Sequence, residues 1–85
     1  MARYFFHSED GRPRADYEGT ELPSLAAARV EAVRVMGDIL KEEPEQVLET
    51  GSLRLTVTDQ TGLIYFALDL AATDAAAGRA QRSGG

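Results

Sequence analysis

The feature that most constrains this chain is one stretch of helical periodicity between residues 25 and 42. Apolar side chains recur there at three- and four-residue spacing, which places them on one face of a helix: Leu25, Ala28, Ala32, Val35, Met36, Ile39 and Leu40. Ser24 is a suitable N-cap, and Pro44 stops the helix near Glu43. The chain therefore has one amphipathic helix with which to cover a sheet.

Two segments with strand character precede this helix. The aromatic-rich run from Arg3 to His7 predicts the first strand, and the Asp10-Gly11 dipeptide predicts a hairpin turn after it. Pro13 to Tyr17 returns as a second strand, placed at a sheet edge because Pro13 cannot donate to a ladder.

Two more segments follow the helix and form a second predicted hairpin. Ser52 to Thr58 alternates apolar and polar residues, and alternate residues of the partner strand Leu63 to Leu70 are expected to face the core: Ile64, Phe66, Leu68 and Leu70. Residues 59–62 provide the turn, and residues 45–51 are a connector with room for one further turn of helix.

The order of these elements, ββαββ, predicts an α+β fold. We expect a four-stranded antiparallel sheet with one amphipathic helix packed on one face, and the first strand in the middle beside the last. Residues 1–71 form the single domain in this interpretation. Residues 72–85 contain no branched aliphatic or aromatic side chain, so we expect a disordered tail or a frayed helix.

Charge and composition limit the classes of partner. Acidic residues outnumber basic ones by 14 to 9, for a net charge of −5, so we expect no direct nucleic-acid ligand. No apolar run approaches the ~20 residues that cross a bilayer, and we expect a cytoplasmic protein with no membrane partner. The absence of cysteine excludes disulfides, thiolate metal sites and cysteine nucleophiles.

Three consecutive aromatic residues in the first strand give the sheet more apolar surface than one helix can bury. Tyr4, Phe5 and Phe6 place apolar groups on both sheet faces, while one helix covers only one face. In the first alternative, Tyr4, Phe6 and Tyr65 share the open face and form a candidate interface. In the second, Tyr4 and Phe6 point toward the helix, and Phe5 alone lies outside.

Other candidate residues have a simpler structural interpretation beside a functional one. His7, the only histidine, is either a general base or pH switch, or a residue at the strand end bonded to backbone. An acidic cluster around the first hairpin is either solvated, a partner-facing patch or a metal site: Glu9, Asp10, Asp16, Glu18 and Glu21. We favour the solvated alternative, and we expect two arginine pairs to be solvated rather than phosphate-binding: Arg12 with Arg14, and Arg29 with Arg34.

Several motifs in a fixed order resemble a known family. The run R-Y-F-F-H at Arg3 to His7 is followed by E-G-x-E-L-P at Glu18 to Pro23, an alanine-rich helix, and V-T-D-x-x-G-x-x-x-F-x-L from Val57 to Leu68. This combination resembles a family of small bacterial proteins catalogued only as a domain of unknown function. The resemblance covers roughly residues 2 to 70 and implies no activity, cofactor or catalytic residue.

These observations favour a non-enzymatic protein–protein interaction module that homodimerises through the open sheet face or a sheet edge. The partner is itself, with another protein as a second possibility, and no cofactor or metal is expected. The alternative is an antitoxin-like or nucleic-acid-associated regulatory protein, for which the scattered positive charges offer little support. An enzyme would require a deep pocket that places His7 beside a carboxylate.

Overall fold

The computed structural model describes residues 1–78 and shows an α+β domain with an antiparallel sheet. Its elements are β1 (Ala2–Glu9), β2 (Pro13–Arg14), β3 (Thr20–Leu22), α1 (Leu25–Glu42), α2 (Pro44–Thr50), β4 (Ser52–Thr58) and β5 (Ile64–Ala71). The fold class agrees with the sequence, but the sheet has five strands and a second helix follows the first. Residues 72–78 are exposed, and the rest of the predicted tail, residues 79–85, lies outside the described part of the chain.

The strand order is β2-β1-β4-β5, and β3 also pairs with β1, on the edge that β1 shares with β2. β1 is therefore an interior strand, as expected. It lies between β2 and β4, however, and does not pair with the last strand, β5. After α2, the chain enters β4 beside the C-terminal end of β1, where Arg54 pairs with Glu9. The hairpin that follows places β5 on the side of β4 that faces away from β1.

The predicted second strand is divided into β2 and β3 by a loop at residues 15–19. Asp16 causes this interruption because its carboxylate accepts three backbone N–H groups that a continuous strand would satisfy differently. The donors are Phe6 of β1 at 3.2 Å, Glu18 at 3.1 Å and Gly19 at 3.0 Å. The Asp16 carboxylate thus accepts from the Phe6 N–H of β1, in place of the backbone carbonyl that a continuous neighbouring strand would provide.

The ends of both helices follow from local sequence. The Ser24 hydroxyl accepts a hydrogen bond from the Ala27 N–H at 3.1 Å and so caps α1, as predicted. Pro44 ends α1 and also begins α2, because the first turn of a helix needs no N–H from proline. Gly51 ends α2 with a φ of 84°, a conformation that glycine adopts without steric cost.

The core lies between the sheet and the two helices. Its buried side chains come from β1, β4 and both helices: Tyr4, Phe6, Ala28, Ala32, Met36, Val47, Leu53, Leu55 and Val57. The predicted apolar face of α1 is confirmed, and its small residues Ala28 and Ala32 allow the helix to lie close to the sheet. Ile64 was predicted to face the core, but it is 63% exposed because the register shifts between Val57 and Thr58, so that Ile64 stands opposite Thr58 and shares its face.

Candidate functional site

The structure places Tyr4 and Phe6 beneath α1 and not on the open face. Each is only 8% exposed and belongs to the core cluster. The first interface alternative must therefore be corrected, since neither side chain is available there. The physical reason is the pleat: Phe6 pairs with Val57, so both point to the face that the helix covers.

Phe5 lies on the opposite face and is covered by its own chain. The His7 ring stacks parallel to it with centroids 6.4 Å apart. Gly19 lies against its edge, where a Cβ atom would approach Phe5 Cε2 to 2.9 Å. The φ of Gly19 is also +71°, so glycine is required here twice over. The loop at residues 15–19 thus covers the aromatic group that a single helix could not reach.

His7 connects this loop to the sheet. Its Nδ1 atom accepts a hydrogen bond from the Asp16 N–H at 3.1 Å, and its Nε2 atom lies 3.0 Å from Thr58 Oγ1. Because Nδ1 is an acceptor, neutral His7 carries its proton on Nε2 and donates to the threonine. Both ring nitrogens are therefore engaged in holding the loop, β1 and β4 together.

Two open hollows flank His7 on this face, with volumes of about 240 and 540 Å³. Two arginines line the smaller hollow, and each is already paired with a carboxylate. Arg14 makes a bidentate pair with Glu43 at 2.6 and 2.7 Å, and Arg54 makes one with Asp69 at 2.7 and 2.8 Å. The hydrogen bond and charge of Glu43 raise the pKa of Arg14. The smaller hollow therefore offers neutralised ion pairs.

The acidic residues of the first hairpin do not form one cluster. Asp10 is buried, which corrects the expectation that it is solvated. Its carbonyl accepts from Gln46 Nε2 at 3.2 Å and from the Thr50 hydroxyl, and its Oδ2 lies 3.7 Å from Arg14. The other members differ among themselves: Asp16 is half-buried, whereas Glu9, Glu18 and Glu21 are exposed. Within residues 1–78, no group of three or more histidines and carboxylates could hold a metal ion.

The outer edge of β5 is the candidate functional site. This strand has eight residues and pairs with β4 on one side, and no strand of residues 1–78 pairs with its other side. Its backbone N–H and C=O groups along that side are a template for a further strand. Three half-buried apolar side chains adjoin this edge: Phe66, Leu68 and Leu70.

The opposite edge of the sheet is less suited to strand addition than β5. β2 has two residues, begins with Pro13, and is followed by the break at Asp16. Short strands and proline both block further pairing. β5 contains no proline, and its one charged residue, Asp69, is paired with Arg54 of β4. The protein therefore protects one edge and leaves the other available.

Tyr65 stands at the start of β5 and is the only predicted interface residue that remains accessible, at 41% exposure. Its ring packs edge-on against Tyr4 with centroids 6.1 Å apart, and its hydroxyl donates to Asp59 Oδ2 at 3.3 Å. Desolvation and then the Asp59 carboxylate raise the pKa of Tyr65. The Thr61 hydroxyl and the N–H groups of Leu63 and Thr61 lower the pKa of Asp59 against the opposing effect of burial. This turn fixes the point where the free edge begins.

The sequence pattern allowed dimerisation through a sheet edge but did not show that this edge is β5. Phe66 and Leu68 were predicted to face the core, and both pack against it as half-buried residues. Arg29 of α1 lies over Phe66, with its guanidinium carbon 5.4 Å from the ring centroid. Only the strand order shows that these residues end the sheet, and alternation carries no information on that order.

Comparison with known proteins gives a family and no closer relative. No curated protein and no solved structure matches the chain. No helix within residues 1–78 is both long and apolar enough to cross a membrane. One family model, described as a domain of unknown function, matches residues 3–72, which include every strand and helix from β1 to β5 apart from Ala2. The chain therefore belongs to the DUF6894 family.

Proposed function

We propose that this domain is a non-enzymatic protein–protein interaction module that forms homodimers through the outer edge of β5. The observation that carries the proposal is this eight-residue strand, which contains no proline and whose outer side pairs with no strand of residues 1–78. Addition of a strand to such an edge supplies main-chain hydrogen bonds and extends the apolar face of the sheet. A domain of this size gains stability from such association, because its own core is small.

Symmetry limits how two copies of β5 can pair. An antiparallel pair related by a two-fold axis keeps both helix layers on the same face of the joined sheet. Residues that stand opposite each other must then share a face, so the axis passes through a residue and not between two residues. Two registers centred on β5 satisfy this condition, one at Ala67 and one at Leu68.

We favour the register at Ala67. It places Phe66 opposite Leu68 of the second copy on the helix face. The register at Leu68 instead places Ala67 opposite Asp69 of the second copy on the open face. Ala67 is exposed and small, so two copies can meet there on the open face without steric conflict.

The distribution of positive charge supports a protein partner over nucleic acid. Three arginines within residues 1–78 make ion pairs of 3.5 Å or shorter with carboxylates: Arg3 with Glu21, Arg14 with Glu43 and Arg54 with Asp69. Affinity for phosphates requires unpaired cations that release counterions on binding. The β5 edge, in contrast, requires only a second strand.

A single cysteine tests the proposed register because the chain contains none of its own. Residues directly opposite in an antiparallel pair lie about 4.5–5.5 Å apart at Cα, within reach of a disulfide. We expect the Ala67→Cys variant to form a disulfide-linked dimer under mild oxidation at low micromolar concentration, seen on a non-reducing gel. The matched control is Gln60→Cys, which places an exposed cysteine in the β4–β5 turn and should cross-link far more slowly.

The molecular mass in solution tests whether the protein forms the proposed dimer. Light scattering behind a sizing column should give twice the 9.2 kDa chain mass for the wild type. A monomer at all concentrations, with the two cysteine variants cross-linking at equal rates, would reject self-association through β5. A dimer in which the Ala67→Cys variant fails to cross-link would place the interface elsewhere.

A further inference from the structure

The exposed side of α1 carries a second apolar stripe that the core does not use. Its residues follow a spacing of four, three and four, which aligns them along one side of the helix: Ala26, Val30, Val33 and Gly37. We call this stripe the α1 seam. Val30 and Val33 are 52% and 59% exposed. Apart from its chain neighbours and the nearby helix backbone, no atom of the described residues lies within 4 Å of the position that a Cβ of Gly37 would occupy.

Helix stability does not account for these residue types. Valine is a weaker helix former than lysine or glutamate, and glycine is weaker still in a helix interior. A glycine with open space beside it allows another backbone to approach closely. The α1 seam therefore has the spacing of a helix-packing surface. At Gly37, its C-terminal end, there is no side chain to keep another helix at a distance.

The charged residues nearest the seam are basic although the protein is acidic. At 100° per residue, Arg29 borders the seam on one side, and Arg34 and Lys41 border it on the other. The acidic residues Asp38 and Glu31 lie farther around the helix. Arg34 is 72% exposed at its side chain, and its nearest approach to Glu31 is 3.7 Å, so its charge faces solvent.

This pattern argues against a second copy as the occupant. Parallel pairing of two seams places Arg29 beside Arg34 of the second copy, and antiparallel pairing about Val33 brings the two Arg34 side chains together. Like charges in flanking positions select against such pairs. A helix with acidic residues beside its own apolar stripe is complementary in both respects.

We infer that the α1 seam binds an amphipathic helix of another protein that carries glutamate or aspartate beside its apolar stripe. This inference deepens the proposed interaction function but uses a surface distinct from the β5 edge. In the complex, Val30 and Val33 pack into the apolar stripe of the partner, and Arg34 and Lys41 face its acidic residues.

Two designed peptides test the inference on the full chain. Each has about three heptads with leucine at both apolar positions, and they differ only in glutamate or lysine at the flanking positions. Fluorescence anisotropy of the labelled peptides should show the glutamate peptide binding at least about tenfold more tightly than the lysine peptide. Added salt should reduce this difference because the flanking charges remain at the surface.

Variants of α1 separate seam binding from general attraction. We expect Val33→Gln to weaken binding of the glutamate peptide at least about tenfold, and Glu42→Gln, on a different side of the same helix, to leave it unchanged. Equal binding of both peptides, no binding of either, or an unaffected Val33→Gln variant would overturn the inference. A change in solution mass for Val33→Gln would also overturn it, by assigning the seam to a second copy. An Ala67→Lys variant should bind the peptide normally, so this surface and the β5 edge can fail independently.

Discussion

At the scale of single residues, Asp16 determines the form of the sheet edge. Its half-buried carboxylate accepts N–H groups from Phe6, Glu18 and Gly19. Burial alone would raise the pKa of Asp16, but these three donors and the nearby His7 outweigh it, so the net pKa is lowered. A carboxyl whose pKa is lower in the folded state stabilises the fold while it is ionised.

The sign of this effect defines a pH test. We expect Asp16→Asn to lower the free energy of unfolding by about 1 kcal/mol at neutral pH, because an amide cannot accept from all three donors. The contribution is complete above the unfolded-state pKa of 3.8 and disappears as pH falls through the lower folded-state value. Denaturant titrations across this range should show wild type and variant converging in acid. Glu18→Gln, an exposed neighbour, is the control, and a difference that persists undiminished at low pH would contradict the assignment.

At the scale of elements, α2 closes the end of the core that α1 does not reach. Val47 is 2% exposed and packs in the core cluster, whereas Leu48, its neighbour in sequence, is 69% exposed. Gln46 and Thr50 of the same helix hold the carbonyl of Asp10 at the end of β1. The segment predicted as a connector is therefore a structural element that joins the first hairpin to β4.

Adjacent residues of α2 provide a matched pair of substitutions. Val47→Ala should lower the free energy of unfolding by about 2 kcal/mol, because it removes two buried methyl groups and leaves a cavity. Leu48→Ala deletes a larger but exposed side chain and should change it by less than about 0.5 kcal/mol. Urea denaturation followed by circular dichroism measures both. Equal effects would show that α2 does not pack as described.

At the scale of the whole molecule, the proposed dimer would couple association to stability. A dimer that unfolds to separate chains becomes more stable as its concentration rises, by mass action. The half-buried Phe66, Leu68 and Leu70 at the β5 edge are the part of the sheet that a second copy would bury further.

Thermal unfolding tests this coupling without cross-linking. We expect the midpoint temperature of the wild type to rise by about 5 °C or more over a hundredfold increase in concentration. Ala67→Lys places a charge at the centre of the proposed strand pair and should abolish the dependence. Gln60→Lys adds the same charge in an exposed turn and should retain it. A wild-type midpoint independent of concentration would speak against a dimer.

Local pattern predicted the elements better than it predicted their arrangement. The face and ends of α1, the inward residues of β4 and the chain turns at residues 10–11 and 59–62 were all anticipated, because each depends on periodicity or on a few neighbouring residues. The division of the second strand was not anticipated, since it depends on a hydrogen bond from the Phe6 N–H to the carboxylate of Asp16, ten residues away. The candidate site was not anticipated either, as Tyr4 and Phe6 occupy the core.

Local patterns in the sequence therefore specify an α+β domain around one amphipathic helix, with two hairpins of which the second has alternating apolar residues. They also specify a first strand with apolar groups on both faces. Three features emerge only from the folded chain: Phe5 is covered by the loop at residues 15–19 and by His7, Asp10 is buried, and no strand of residues 1–78 pairs with the outer side of β5. The physical reason is that side-chain period is a property of one segment, whereas strand order and burial depend on contacts between segments distant in sequence.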